Sequence, residues 1–272
     1  MRRQSGIPKQ RTEYLLPEKG KDYSEDPRFY DCWSKLTPFS LIEYDRVVQL
    51  DSDMLVMQNM DELMDLELDP PSMEGKGKRV FAAGHACICN PLKKPHYPRN
   101  WQVHLGLRTF SDMYLICTRI PENCAFTSQH SMPEVAQTTG ADPAVGPLGF
   151  MNGGLSVVNP SKAVYNLILR HLESDAVIDM DFADQSLLSD LFRGCWVPLP
   201  YIYNALKTLR RKGVHAEIWR DDKVKNVHYI LAPKPWDEVD AEGNNISADP
   251  THAWWVDVNK ERLAAEQEKG IL

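Results

Sequence analysis

Hydrophobic positions fall along this chain in short runs cut by polar turns, and only two stretches keep a helical period. Arg46-Val47-Val48-Gln49-Leu50 is a compact β-branched run, the pattern of a buried parallel strand. It stops at Asp51-Ser52-Asp53, and a second apolar run, Met54-Leu55-Val56-Met57, begins at once. Upstream, Tyr14-Leu15-Leu16 predicts a short strand and residues 33–41 a short helix. Downstream, residues 61–66 predict one helical turn and Arg79-Val80-Phe81-Ala82-Ala83 another strand. Leu155-Ser156-Val157-Val158 predicts a strand after Asn152-Gly153-Gly154. Asn159-Pro160 then signals a helix start, with Asn as N-cap and Pro in the first position. Val164, Leu167, Ile168 and Leu172 share one face of that helix. A second helix is predicted from Asp184, with Leu187, Leu188, Leu191 and Phe192 at core spacing and Gly194 as its stop. The tail from Leu263 reads as a short charged helix or a frayed end.

Strand–helix alternation of this kind predicts an α/β fold, and 272 residues are enough to bury a core without staples. The expected organisation is one domain over residues 1–272. Residues 90–147, rich in Pro, Ser and Thr, are too long for a structureless loop inside a compact domain. They are expected to form a lid or acceptor-side insertion, and residues 237–272 a C-terminal extension. No internal repeat is visible.

Charge and cysteine content narrow the function. Lys and Arg number 31 against 38 Asp and Glu, a net charge of −7, which argues against a nucleic-acid partner that needs a basic footprint. No run approaches the ~18 apolar residues of a membrane span, and the basic start has no apolar stretch behind it. A cytoplasmic location is therefore expected. Six cysteines, at 32, 87, 89, 117, 124 and 195, do not make a disulfide scaffold in so long a chain. They read as buried thiols in a reducing compartment, and the C-x-C pair of Cys87 and Cys89 is assigned no chemistry.

Four motifs carry candidate chemistry, each with a plainer alternative. Residues two apart on extended chain point the same way, so Asp51 and Asp53 would stand together at the carboxyl edge of a sheet, where α/β proteins bind ligands. Paired carboxylates suit a hard divalent cation; a solvated turn would use the same residues. His228 could complete a metal site, and Lys234, six residues on, could reach a phosphate; both also fit a hydrogen-bonded histidine beside an ordinary Lys-Pro-Trp turn. Asp181, Asp184 and Gln185 could bond sugar hydroxyls, while Asp184 would also serve as a helix N-cap. Asn152-Gly153-Gly154 allows close backbone approach to a ligand, or simply a turn.

Taken in order, Lys35, the run from Tyr44 to Asp53, Asn152-Gly153-Gly154, residues 181–185 and residues 228–236 resemble glycosyltransferase family eight, the retaining group that contains glycogenin and galactinol synthase. Tyr203-Asn204-Ala205-Leu206-Lys207 and His252-Ala253-Trp254-Trp255 resemble its fungal branch. The resemblance implies a GT-A-type fold, a mostly parallel mixed sheet flanked by helices. It implies that Asp51, Asp53 and His228 bind manganese, with magnesium as the alternative, and that the ion grips the diphosphate of a UDP-sugar. Lys35 and Lys234 would contact phosphate oxygens. Asn152, Gly153, Gly154 and Asp181 would line the donor site, with Asp184 and Gln185 near the reaction centre and Asp184 as the candidate catalytic carboxylate. The implied reaction is retaining transfer of a hexose to a hydroxyl acceptor on a sugar, polyol or protein, and a homodimer is a further expected partner.

Two departures from the family pattern stand out. Its opening strand–loop–helix, which carries nucleotide contacts, is not found, so the fold is expected to be N-terminally incomplete, with weak donor binding and an apolar edge on the strand at residues 46–50. Leu231 stands where glycogenin-like members have glycine beside the phosphates. Two alternatives follow: a nucleotide-sugar-binding protein of little or no activity, and a metal-dependent phosphohydrolase, which would also use paired aspartates.

Overall fold

A computed structural model describes residues 14–97, 124–141 and 149–271. The opening stretch and residues 98–123 and 142–147 of the expected insertion lie outside them. Among the described residues seven strands form two sheets. β1 (Val47–Leu50), β3 (Phe81–His85), β4 (Met151–Val158) and β5 (Val197–Pro198) lie in the order β1-β4-β3-β5, and β2 (Met54–Val56), β6 (Ala205–Leu206) and β7 (Asn226–His228) in the order β2-β7-β6. Three helices, α1 (Lys162–Leu172), α2 (Ala183–Leu191) and α3 (Pro250–Glu268), join short 3₁₀ turns. This is the α/β mixed-sheet arrangement expected of a GT-A-type fold.

The balance of strand directions differs from expectation. β4 runs antiparallel to both β1 and β3, β2 is antiparallel to β7, and only the β3–β5 and β6–β7 pairs are parallel. An apolar run reports burial and not direction, which is why residues 46–50 read as a parallel strand. β4 is the central element and all eight of its residues are buried. On β3, Phe81 and Ala83 face the cluster that includes α1 and α2, while Ala82 joins Leu155, Val157 and Leu63 on the other face, the two-residue period of a strand covered on both sides. Among the described residues β1 pairs on one side only, and Leu50 is 40% exposed. Among the described residues, then, β1 presents the expected apolar edge.

Local chemistry adjusts the predicted boundaries. α1 is capped by Ser161, whose Oγ accepts from Val164 N, and not by Asn159; Asn159 instead bonds Arg46 and the carbonyl of Asp69. Val164, Ile168 and Leu172 form its buried face. α2 begins at Ala183 after Phe182, so Asp184 sits inside the first turn and is not the cap. Residues 33–41 form the 3₁₀ helix Cys32–Ser40, and residues 61–66 the turn Asp61–Asp65. Tyr14-Leu15-Leu16 forms no strand. The tail is a 19-residue helix, earlier and longer than predicted, starting from an Asp249 cap with Pro250 in its first turn. In the region 90–147, His96 and Tyr97 line a cavity, whereas Cys124, Phe126 and Ala136 are packed into the core.

Candidate active site

The metal-ligand set is assembled where the chain leaves one sheet for the other. Asp51 N donates to Gly154 O (2.8 Å), continuing the β1–β4 ladder, and Tyr229 N donates to Asp53 O (2.9 Å), continuing the β2–β7 ladder. Ser52 lies in the turn between, and His228 is the register partner of Met54. Turn geometry and two ladders, not a strand's two-residue period, bring the carboxylates together. Ligand atoms of Asp51, Asp53 and His228 all lie within 4.8 Å of one another. His228 Nε2 is 3.2 Å from Asp53 Oδ1 and 3.9 Å from Asp51 Oδ2.

A chain of hydrogen bonds fixes which nitrogen of His228 faces the acids. Gly154 N donates to Asn152 Oδ1 (3.0 Å), so that atom is an acceptor. Asn204 therefore donates its Nδ2 to the same oxygen (2.8 Å) and presents its own Oδ1 to His228 Nδ1 (2.9 Å). An amide oxygen only accepts, so Nδ1 donates to Asn204 and Nε2 is the nitrogen that faces the two aspartates. Such a partner on the far nitrogen is what orients a metal-ligating imidazole.

The glycines serve this packing. A Cβ on Gly154 would lie 2.5 Å from His228 Cε1 and 2.7 Å from Met54 Cε, and one on Gly153 would lie 2.4 Å from Asp184 Oδ2. The β3–β4 register jumps here from Ser156 to Asn152, leaving Gly153 N to donate to Gln185 Oε1 (2.9 Å). The close approach permitted by Asn152-Gly153-Gly154 is thus to the protein's own site side chains.

These residues border a cavity of about 410 Å³ lined by Asp51, Asp53, His228, Lys35, Lys234, Asn152, Gly154 and Gln185. Arg28, His96, Tyr97 and Trp236 also line it and were not picked out as site residues from the sequence, because nothing in their spacing marks them. Asn204 was noticed only as part of a resembling string. Asp181 faces a separate surface pocket and pairs with Lys21, so it is not brought to the cavity. Asp184 is 2% exposed and does not line it either. Gly153 is likewise behind the wall.

The two lysines sit on the two acids. Lys35 Nζ is 2.7 Å from Asp51 Oδ1, and Lys234 Nζ is 2.5 Å from Asp53 Oδ2 while also donating to Tyr229 O at 2.7 Å. Burial alone would raise the Asp53 carboxyl, but His228 and Lys234 hold it well below the usual carboxylate range. Burial opposes the Lys35 charge, and Asp184 and Asp51 outweigh it, raising that amine above its ordinary value. Burial pushes the Asp184 carboxyl up to about 7, with Lys35 opposing and Asp51 adding to the rise. Leu231, buried in the cavity wall, has a left-handed φ of 65°, a conformation that costs a side-chain-bearing residue roughly 1–2 kcal/mol. The backbone at this position suits the glycine that glycogenin-like sequences carry.

The donor set fits a hard dication. Two carboxylates and one imidazole nitrogen supply three ligands, and the adjoining cavity leaves the remaining positions to a bound molecule. Cations arranged around it favour an anionic one.

Comparison with known proteins gives this arrangement its family. The model of "Glycosyl transferase family 8" matches residues 9–240. The chain is 29% identical over 244 residues to galactinol synthase 1 of Ajuga reptans, covering 88% of this chain and 61% of that protein. It is 28% identical over 236 residues to galactinol synthase 4 of Arabidopsis thaliana, covering 85% and 59%. The chain thus spans about three fifths of the length of these relatives. Among solved structures it is similar to the galactosyltransferase LgtC in complex with donor and acceptor sugar analogues (TM-score 0.46, 18% identity, 89% of this chain and 71% of that one). It is also similar to the glycosyltransferase GlyE of Streptococcus pneumoniae (TM-score 0.46, 18% identity, 83% and 42%). The family match runs through Lys35, both aspartates, Asn152, Gln185, His228 and Lys234: the chain belongs to glycosyl transferase family 8.

Proposed function

We propose that this chain is a manganese-dependent retaining glycosyltransferase that moves a hexose from a UDP-sugar to a hydroxyl acceptor. The observation that carries the reading is the convergence of Asp51, Asp53 and His228 within 4.8 Å at a cavity also faced by Lys35 and Lys234. Asp51, Asp53 and His228 Nε2 would hold the ion, which when bound supplies Lewis-acid stabilisation of the diphosphate leaving group. Lys35 and Lys234, now on the two acids, are placed to turn to phosphate oxygens and neutralise the charge that develops as the anomeric bond breaks. Asn152 and Gln185 line the same cavity and are assigned to the sugar, whose transition state is oxocarbenium-like.

Asp184 takes a different part from the catalytic carboxylate first assigned to it. Its place behind Gly153 and its charge interaction with Lys35 support a positioning role on that side chain, without contact with the donor. Asp181 is dropped from the donor site. Similarity to galactinol synthases makes galactinol the first product to seek.

The test is UDP-sugar hydrolysis and transfer with manganese, wild type against the Asp51→Ala/Asp53→Ala variant. Turnover lost in the variant, with the donor's anomeric configuration retained in the product by NMR, is expected. Tight UDP binding without turnover would make the chain a binding protein. Cleavage of simple phosphate esters, uninhibited by UDP, would make it a phosphohydrolase.

A further inference from the structure

A second group of ligating side chains lies beside the cavity wall. Cys87 and Cys89 follow β3, Cys124 precedes the turn Ala125–Gln129, and His215 lies in the turn after Gly213. One ligand atom from each falls within 4.8 Å of all the others. Each of the four is at most 5% exposed, and the three cysteines are thiols. His215 Nε2 is 3.2 Å from Cys89 Sγ. On its other side His215 Nδ1 is 2.9 Å from His130 Nε2. That bond lets His130 accept the Nδ1 proton, which leaves the His215 Nε2 lone pair among the sulfurs.

We propose that Cys87, Cys89, Cys124 and His215 form a structural zinc site. Three sulfurs and one imidazole are a soft set that favours tetrahedral zinc over manganese or magnesium. A Zn–S bond of ~2.3 Å puts sulfurs roughly 3.8 Å apart across a tetrahedron, so the group needs to contract by about an ångström at most. Four protein ligands fill the coordination shell and leave no position for substrate, which separates this site from the open Asp51, Asp53 and His228 set. The His215–His130 bond supplies the outer partner that fixes a metal-bound imidazole. Binding forms three Zn–S bonds and one Zn–N bond, releases the three thiol protons to solvent, and changes no oxidation state. The ion would clip the segment after β3 to the 124–129 and 213–218 turns. Because Cys87 also lines the cavity, the clip would hold that wall without touching the donor. Nothing in this inference depends on the glycosyltransferase reading.

The test uses the full chain, purified under reducing conditions. Elemental analysis after dialysis against EDTA is expected to find about one zinc per chain in the wild type and in Asp51→Ala/Asp53→Ala, and less than about a tenth of that in Cys89→Ser and His215→Ala. Cobalt loaded in place of zinc is expected to give thiolate-to-cobalt charge-transfer absorption and tetrahedral d–d bands in the wild type. That measurement does not depend on the variants folding. Wild-type protein with neither zinc nor the charge-transfer band overturns the proposal. So does full zinc retention in folded Cys89→Ser and His215→Ala, or a disulfide among the three cysteines by mass spectrometry of the native protein.

Discussion

Among the described residues, side chains able to ligate a metal converge in two places, and the two sets differ in nearly every respect but convergence. Asp51 and Asp53 are hard donors, joined by the borderline imidazole of His228, where the chain passes from one sheet to the other; the two aspartate side chains are about a fifth exposed and each is paired with a lysine. Cys87, Cys89 and Cys124 are soft donors joined by the imidazole of His215, buried, with no cation paired to them by a salt bridge among the described residues. A site that must admit a charged ligand keeps its acids partly open and offsets them with ammonium groups. One that only holds segments together is closed and dry. The contrast teaches that donor chemistry and access together, not proximity alone, separate a working metal centre from a structural one.

Four experiments test that contrast. The largest effect is expected from Asp51→Ala/Asp53→Ala, which should lower sugar transfer by about 10³-fold or more and abolish manganese binding by EPR while leaving zinc content unchanged. Loss of both metals together would merge the two sites into one folding unit. Next is Asn204→Ala, which removes the acceptor for His228 Nδ1–H. Manganese affinity should fall about 10- to 100-fold, and Asn204→Asp, which keeps an acceptor there, should recover most of it. Unchanged affinity in Asn204→Ala would show that the tautomer is set some other way.

The third concerns the sign of a pH dependence. The folded-state pKa of Asp184, about 7, lies above its unfolded value of 3.8. The neutral buried acid therefore contributes stability that is complete below the unfolded value and is lost as pH rises through about 7. Relative to Asp184→Asn, the wild type should become progressively less stable over that window in urea melts. Thiol-bound zinc has the opposite sign, since its ligands must lose protons to bind. A flat difference curve between wild type and Asp184→Asn would remove Asp184 from the account. The smallest effect is at Leu231. Leu231→Gly and Leu231→Ala both shorten the buried side chain, but only glycine relieves the left-handed backbone. The glycine variant should melt higher than the alanine variant by about 2–4 °C, the shift of roughly 1 kcal/mol in a domain of this size.

Much of the first site was legible in the sequence, and almost none of the second. Asp51 and Asp53 follow an apolar run directly, so sequence adjacency stood in for spatial adjacency, and His228 was added by resemblance. Asn152-Gly153-Gly154 was legible as a place of close approach, but not what approaches: only the packing of His228 and Asp184 against the backbone explains it. Asp181 lies two residues before α2 and faces a separate pocket with Lys21, so its nearness to Asp184 along the chain is not nearness to the cavity. The thiol cluster draws on residues 87, 89, 124 and 215, and no spacing rule spans three distant turns. The direction of β1 was hidden because valines bury equally well in either pairing. The start of α3 carried a readable signal in Asp249-Pro250, overlooked because the helix has little apolar periodicity.

Trp236 lines the cavity, is 41% exposed, and stands 5.7 Å from Trp255 of α3 with the rings at 60°. Occupancy of the cavity would change the polarity around an indole already coupled to a second one. The protein thus carries its own optical reporter: a shift or quench of tryptophan emission on titration, absent in Trp236→Phe, would follow ligand entry without a label.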